Sequence, residues 1–291
     1  MNDTLMLVLS MAACLLGSII RKYYTDKTGG NLRGIYVFNI VTSLLTCLIL
    51  LVWGGVGSIS LFTLLLACLF GIVTVAQTVF MLKALDTGPM SYTTVICSFS
   101  SLISALSGTM FFGETLTAMH IIGMALMAAS FLLAVEKTPG QKAAGFRWLV
   151  YCIITFVCTG SIGIMQKLHQ SSAYSQELNA FLVIAFGVSA VASVPLLFLA
   201  PRGDMRPGKK ARWLLWGSII LCGITIALNN KWNLYLSGVM DSAVFFPVVN
   251  GGGMVLSALA AVVFFQEKPT RKQWLGILLG IVSVVFLCNP F

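Results

Sequence analysis

The sequence predicts an all-α integral membrane protein, with ten transmembrane helices arranged as two inverted five-helix repeats. Three observations lead there. Of 291 residues, 58% are hydrophobic and only 9% charged, too little charge to cover a soluble domain of this length. Apolar stretches of about 18 residues or more recur, each long enough to cross a bilayer as a helix. Two segments 153 residues apart share a pattern that includes a glutamate. Uninterrupted apolar runs of this length exclude a membrane barrel, whose strands are shorter and alternating.

Read from turn to turn, the crossings fall near residues 4–20, 33–53, 60–82, 91–112, 118–135, 146–168, 177–199, 213–236, 242–265 and 272–288. The first reads TLMLVLSMAACLLGSII. Met1-Asn2-Asp3 gives it no basic leader, and Arg21-Lys22 follows it, so helix 1 is expected to be retained rather than cleaved. The connections are short, which makes neighbouring helices antiparallel hairpins. Only 21–32, 136–145 and 200–212 read as real loops. Eight cysteines lie inside the apolar segments without CxxC or Cys/His spacing. They read as packing residues, with no metal site and no disulfide framework.

The repeat is visible in SALSGTMFFGETLTAMHIIG (104–123) and SALAAVVFFQEKPTRKQWLG (257–276), identical at eight of twenty positions. The matches include Phe111/Phe264, Phe112/Phe265, Glu114/Glu267, Thr117/Thr270 and Gly123/Gly276. A looser echo links Gly17-Ser18-Ile19 to Gly160-Ser161-Ile162. The chain therefore divides into a first repeat over 1–138, a cytoplasmic linker at 136–146 and a second repeat over 146–291. Five helices per repeat is an odd number, so the second copy enters the membrane from the opposite side. Inverted repeats rocking about a midplane site underlie alternating access in many carriers.

Ten helices, the five-plus-five repeat, and FFGET and FFQEK closing helices 4 and 9 resemble the drug/metabolite transporter superfamily, EamA-type branch. The resemblance covers the whole chain. It implies a carrier for a small metabolite or drug, with no cofactor, and a pathway lined chiefly by helices 3, 4, 8 and 9 and those preceding them. Glu114 and Glu267 resemble the family's recurrent glutamate. Their position at the 4–5 and 9–10 turns gives them a structural role, capping or bracing those turns. The smallest relatives in the superfamily carry a glutamate in their first helix. Helix 1 here has none, and no carboxylate lies mid-helix anywhere in the chain, which counts against antiport of cationic drugs.

Charge sets the orientation. Of eighteen Lys and Arg, sixteen fall on the side of the odd-numbered connections; Lys167 falls on the other side, and Lys231 lies within helix 8. Basic loops stay in the cytoplasm, so both termini are expected outside the cytoplasmic membrane. Many ten-helix members of the superfamily have the reverse arrangement. The formal charge of +9 belongs to this skewed face and suits anionic lipid. Basic loops so short and scattered exclude a nucleic-acid partner.

The candidate site starts from IALNNKWNLYL, residues 226–236, which puts Lys231 among Asn229, Asn230 and Asn233. Counting equally from the turn at Gly238–Asp241 sets Lys231 level with Val248–Asn250 of helix 9. That helix carries Pro247, Asn250 and Gly251-Gly252-Gly253. Proline removes a helical donor and glycines resist unwinding poorly, so this stretch reads as a gate or helix break. The repeat-related positions are Gln77 in helix 3 and Ser98, with Ser100 and Ser101, in helix 4. The substrate-binding candidates are thus Lys231, Asn230, Asn233, Asn250, Gln77 and Ser98. Three readings of Lys231 stand: a snorkel to the outer interface, internal pairing with the asparagines, or contact with a substrate's negative group.

The other signals are modest. Gly276 and Gly280 in LGILLG form a small-xxx-small pattern that suits either intramolecular packing or a homodimer face. His120 and His169 sit at helix ends. Trp148, Trp213 and Trp274 stand where an aromatic belt would place them. The function expected is secondary transport of a small polar metabolite, anionic or zwitterionic, with membrane lipid as the other partner. The alternatives are a flippase-like carrier of an amphipathic or lipid-linked substrate, and a non-transporting scaffold or receptor. No HExxH, paired intramembrane acids or Ser/His constellation supports an enzyme.

The orientation is directly testable. A reporter fused after Phe291 that is active only in the cytoplasm should stay silent; strong activity would reverse the topology.

Overall fold

The computed structural model describes residues 3–28, 32–88, 93, 96–133, 145–200, 209–265 and 270–288. Its helices are α1 (Asp3–Thr28), α2 (Leu32–Gly54), α3 (Leu61–Thr87), α4 (Ser100–Phe111), α5 (Ala118–Leu133), α6 (Phe146–Gln170), α7 (Leu178–Leu199), α8 (Lys209–Val239), α9 (Ser242–Phe265) and α10 (Arg271–Leu287). A short 3₁₀ turn, Ser175–Glu177, leads into α7. Among the described residues α1, α2, α3, α6, α7 and α8 are long and apolar enough to cross a membrane, while α4 and α5 are shorter apolar helices. Several helices outrun their apolar stretch. α1 continues through Arg21 to Thr28 and α8 starts at Lys209, because leaving hydrocarbon does not oblige a helix to end.

The helix ends have local causes. α2 stops at Gly54, after which Gly55 takes φ +62°, the left-handed conformation that glycine adopts without strain. Asn179 then donates to the carbonyl of Leu50 at 2.9 Å and to that of Gly55 at 2.6 Å. α4 ends the same way, with Gly113 at φ +68° and the Glu114 N–H returning to Gly108 O at 3.1 Å. α10 begins with a capping box: Gln273 N–H donates to Thr270 Oγ1 while Gln273 Oε1 accepts from Thr270 N–H. Glu177 caps α3, accepting from the backbone and hydroxyl of Ser60, the latter at 2.7 Å.

The chain packs as two units. One combines Met1–Val75 with Ser172–Tyr235, the other Ala76–Ser171 with Leu236–Phe291. Each unit thus takes helices from both sequence halves. In the first, α2 and α7 run antiparallel: Asn39 reaches Ser193 at 3.1 Å and Cys47 reaches the Val183 carbonyl at 3.4 Å. Ile20, Tyr24, Phe38, Leu215, Ile219 and Cys222 form a buried cluster.

In the second unit α5 and α10 are joined by a reciprocal pair of bonds. Ser130 donates to Gly276 O at 2.7 Å, and Ser283 donates to Gly123 O at 2.8 Å. High residue number meets low in both, so the helices are antiparallel. Apolar side chains gain nothing by leaving lipid for protein, so small residues that let backbones approach carry such contacts. Gly280 fits this account: a Cβ there would lie 2.5 Å from Val255 and 2.9 Å from the Ser130 hydroxyl. Gly276 and Gly280 are therefore packed inside their own unit. Ser104 ties α4 to α6 through Gly160 O at 3.1 Å.

Trp213 and Trp274 are exposed at helix ends, as a belt requires, but Trp148 is not. It is buried and donates from Nε1 to Thr93 at 2.8 Å. A terminal tryptophan with a hydroxyl in reach of its N–H can pack inward. His120 and His169, also at helix ends, are both buried.

Candidate functional site

Helix α8 brings Lys231 to Trp53, at the end of α2 in the same unit. The ammonium stands 4.0 Å from the indole centroid, and the lysine is half-buried. Such a contact contributes about 0.5–2 kcal/mol, more as water is removed. Among the described residues no carboxylate pairs with Lys231. The asparagines beside it in sequence are engaged elsewhere. Asn229 donates to the Ser10 carbonyl of α1 at 2.9 Å, Asn233 donates to Asn229 Oδ1 at 3.0 Å, and the Ser10 hydroxyl donates to Asn233 Oδ1 at 2.5 Å. Two of the three asparagines thus clamp α1 to α8.

Asn230 instead turns back on its own helix, donating to Ile226 O at 2.9 Å. Asn250 does the same on α9, to Phe246 O at 2.9 Å. A polar side chain in an apolar helix can satisfy itself on the carbonyl one turn back. α9 carries Pro247 without interruption and remains helical through Gly251, Gly252 and Gly253; no helix break is present here. All three glycines are buried, and a Cβ on Gly251 would collide with Met127 of α5. Gly251 is thus a close-packing position, where a side chain would have to displace the Met127 thioether. Ser98 offers its carbonyl to the Ser101 hydroxyl at 2.9 Å, and Gln77 Oε1 accepts from Thr78 at 3.4 Å. Lys231, Asn230 and Asn233 belong to the first unit; Gln77, Ser98, Pro247, Asn250 and the glycines belong to the second.

A second polar cluster surrounds Glu114. Gly113 and the Gly108 carbonyl fix the turn after α4, and Glu114 then reaches α9 and α6. Its Oε2 accepts from the Ser242 N–H at 2.7 Å, at the first turn of α9, where a helix dipole favours a negative charge. Its Oε1 pairs with Lys167 Nζ at 2.5 Å, and Lys167 also donates to Met240 O at 2.9 Å. The two charged side chains are 12% and 9% exposed. Gly108 leaves the space that Glu114 fills. Glu267 lies outside the described residues.

Sequence reasoning missed Trp53, Ser10 and the Lys167 pairing. The topology count held the signal for two of them. Helices 2 and 8 run in the same direction, which sets Trp53 near the level of Lys231, and Lys167 lies on the side of the Glu114 turn. Ser10, one hydroxyl among many, gave no signal.

An all-helical chain with several bilayer-length apolar helices, and with hydroxyls and amides that bond from helix to helix, is a multi-pass membrane protein. Residues 146–289 match the model of the EamA-like transporter family, a match that places the chain in the drug/metabolite transporter superfamily. An uncharacterized protein of Haemophilus influenzae (strain ATCC 51907 / DSM 11121 / KW20 / Rd) is 26% identical over 195 residues, which is 65% of this chain. The match spans 62% of that relative's length. A solved structure, described only as "Crystal structure of protein", superposes with a TM-score of 0.78 at 15% identity, covering 99% of this chain and 97% of the other. That likeness concerns the fold.

Glu114→Gln should leave the Lys167 ammonium buried without its counter-charge, a loss of about 3–5 kcal/mol. The double variant Glu114→Gln/Lys167→Met should lose less than the single. Thermal denaturation in detergent checks this; a single variant as stable as the parent contradicts the bracing role.

Proposed function

We propose that the chain is a secondary transporter, carrying a small polar metabolite with a negative group across the cytoplasmic membrane by alternating access. The ten crossings form two inverted five-helix halves. One observation carries this reading. The 153-residue offset takes Gly123 to Gly276 and Ser130 to Ser283, so it turns each α5–α10 bond into the other. Contacts that exchange in this way mark a two-fold relation. Because the paired helices are antiparallel, the axis lies across them, which is the relation an inverted repeat requires. Inverted repeats place their substrate near the midplane and expose it alternately to either side.

The charge preference rests on Lys231. A cation within a membrane-crossing helix costs about 3 kcal/mol at the bilayer centre and less toward the interface. It is retained here with an aromatic face and, among the described residues, no counter-anion. A substrate carboxylate or phosphate supplies that anion. Asn230 and Asn233, in the same unit, remain candidates for contact with the rest of the solute. The hydrogen bonds that they already make would have to be exchanged for substrate bonds.

A thermal-shift screen of the purified protein against a metabolite library is expected to return stabilising solutes that carry a negative group. Lys231→Gln should fold, and should bind them about tenfold to a hundredfold more weakly, the scale of a hydrogen bond to a charged partner. Lys231→Arg should also lose affinity, since a planar fork does not replace a point charge. Unchanged affinity in both variants would remove Lys231 from the site.

A further inference from the structure

An aromatic face covered by a lysine is a cation site that already holds an occupant. Lys231 Nζ sits 4.0 Å from the Trp53 centroid, while Trp53 keeps 50% of its surface open. The ammonium therefore has a π face and, among the described residues, no carboxylate. Asn229, Asn233 and Ser10 are bound to one another, so they do not hold it in place. The pair offers two complementary contacts: Lys231 for an anion, and the exposed Trp53 face for a cation once Lys231 turns away.

We propose that Trp53 and Lys231 form a two-part site for a zwitterionic group. The ligand's anion draws the Lys231 ammonium off the ring, and the ligand's own ammonium takes its place over the indole. This rests on the carrier reading above and makes Trp53 its specificity residue. A plain anion would engage Lys231 and leave the ring empty. A plain cation would have to crowd a second positive charge against the first. A zwitterion satisfies both groups together and leaves the net charge of the site unchanged. Free betaines and the headgroups of zwitterionic lipids share this chemistry, and Trp53 ends α2, where tryptophan meets headgroups.

The test uses the full chain in phosphatidylglycerol nanodiscs, titrated with glycine betaine, acetate and tetramethylammonium. Betaine should bind the native protein about tenfold tighter than either half-charge probe, the scale of a desolvated cation–π contact. In Lys231→Ala the vacated ring should gain tetramethylammonium affinity by about the same factor. Lys231→Ala/Trp53→Leu should lose that gain. Equal tetramethylammonium binding in native and Lys231→Ala, or a gain that persists without Trp53, overturns the proposal, as does betaine binding no better than acetate. Repeating the titration in phosphatidylcholine separates the sources: blocked betaine binding assigns the site to a headgroup, and unchanged binding assigns it to a solute. None of these readouts requires transport. Absence of flux would therefore strike the carrier reading and leave this site standing, while failure here would leave the carrier reading intact.

Discussion

Polar atoms set among apolar helices must find partners inside the protein, because lipid offers none. The organisation of this chain follows from how that requirement is met. Serine hydroxyls reach carbonyls of neighbouring helices where glycine lets the backbones approach, as Ser130 and Ser283 do between α5 and α10. Asparagines either bridge helices or fold back on their own turn, and the same residue type does both within α8: Asn229 and Asn233 bridge to α1, while Asn230 does not. Carboxylates stay at helix ends, where orphan N–H groups are available. Glu114 and Glu177 each accept from a serine at the start of another helix. Lys231 stands apart, lying over the face of an indole ring.

The packing units and the proposed repeats divide the chain differently. A packing unit is a set of helices held by direct contact, and here each unit draws on both halves of the sequence. The α5–α10 pair joins one helix from each half. On the account proposed, it is also where the internal two-fold is most plainly expressed.

Hydropathy made the helices legible because a bilayer imposes a length on apolar runs that water does not. It was less informative about where helices end. α1, α3 and α8 extend beyond their apolar stretches, since hydropathy reports immersion and not hydrogen bonding. The Glu114 turn was legible as a brace from its place after FFG, although its partners Lys167 and Ser242 come from distant segments. Trp148 misled, because an aromatic near a helix end carries no mark of whether it faces headgroups or a hydroxyl. Pro247 and the three glycines suggested a break, yet α9 runs through them, and Gly251 packs against Met127, a neighbour no local pattern reveals. Lys231 was visible at once as an anomaly. Its ring partner was not, because pairing across nearly 180 residues depends on which helices pack together.

On our proposal this chain moves a small solute bearing a negative group by exposing one site to each side in turn. Counterflow tests it most directly. Purified protein in liposomes preloaded with unlabelled glycine betaine should accumulate the labelled compound transiently, above protein-free liposomes, and the Lys231→Gln protein should not. No accumulation for betaine or for any stabilising solute from the metabolite screen, or equal accumulation by the Lys231→Gln protein, would contradict it.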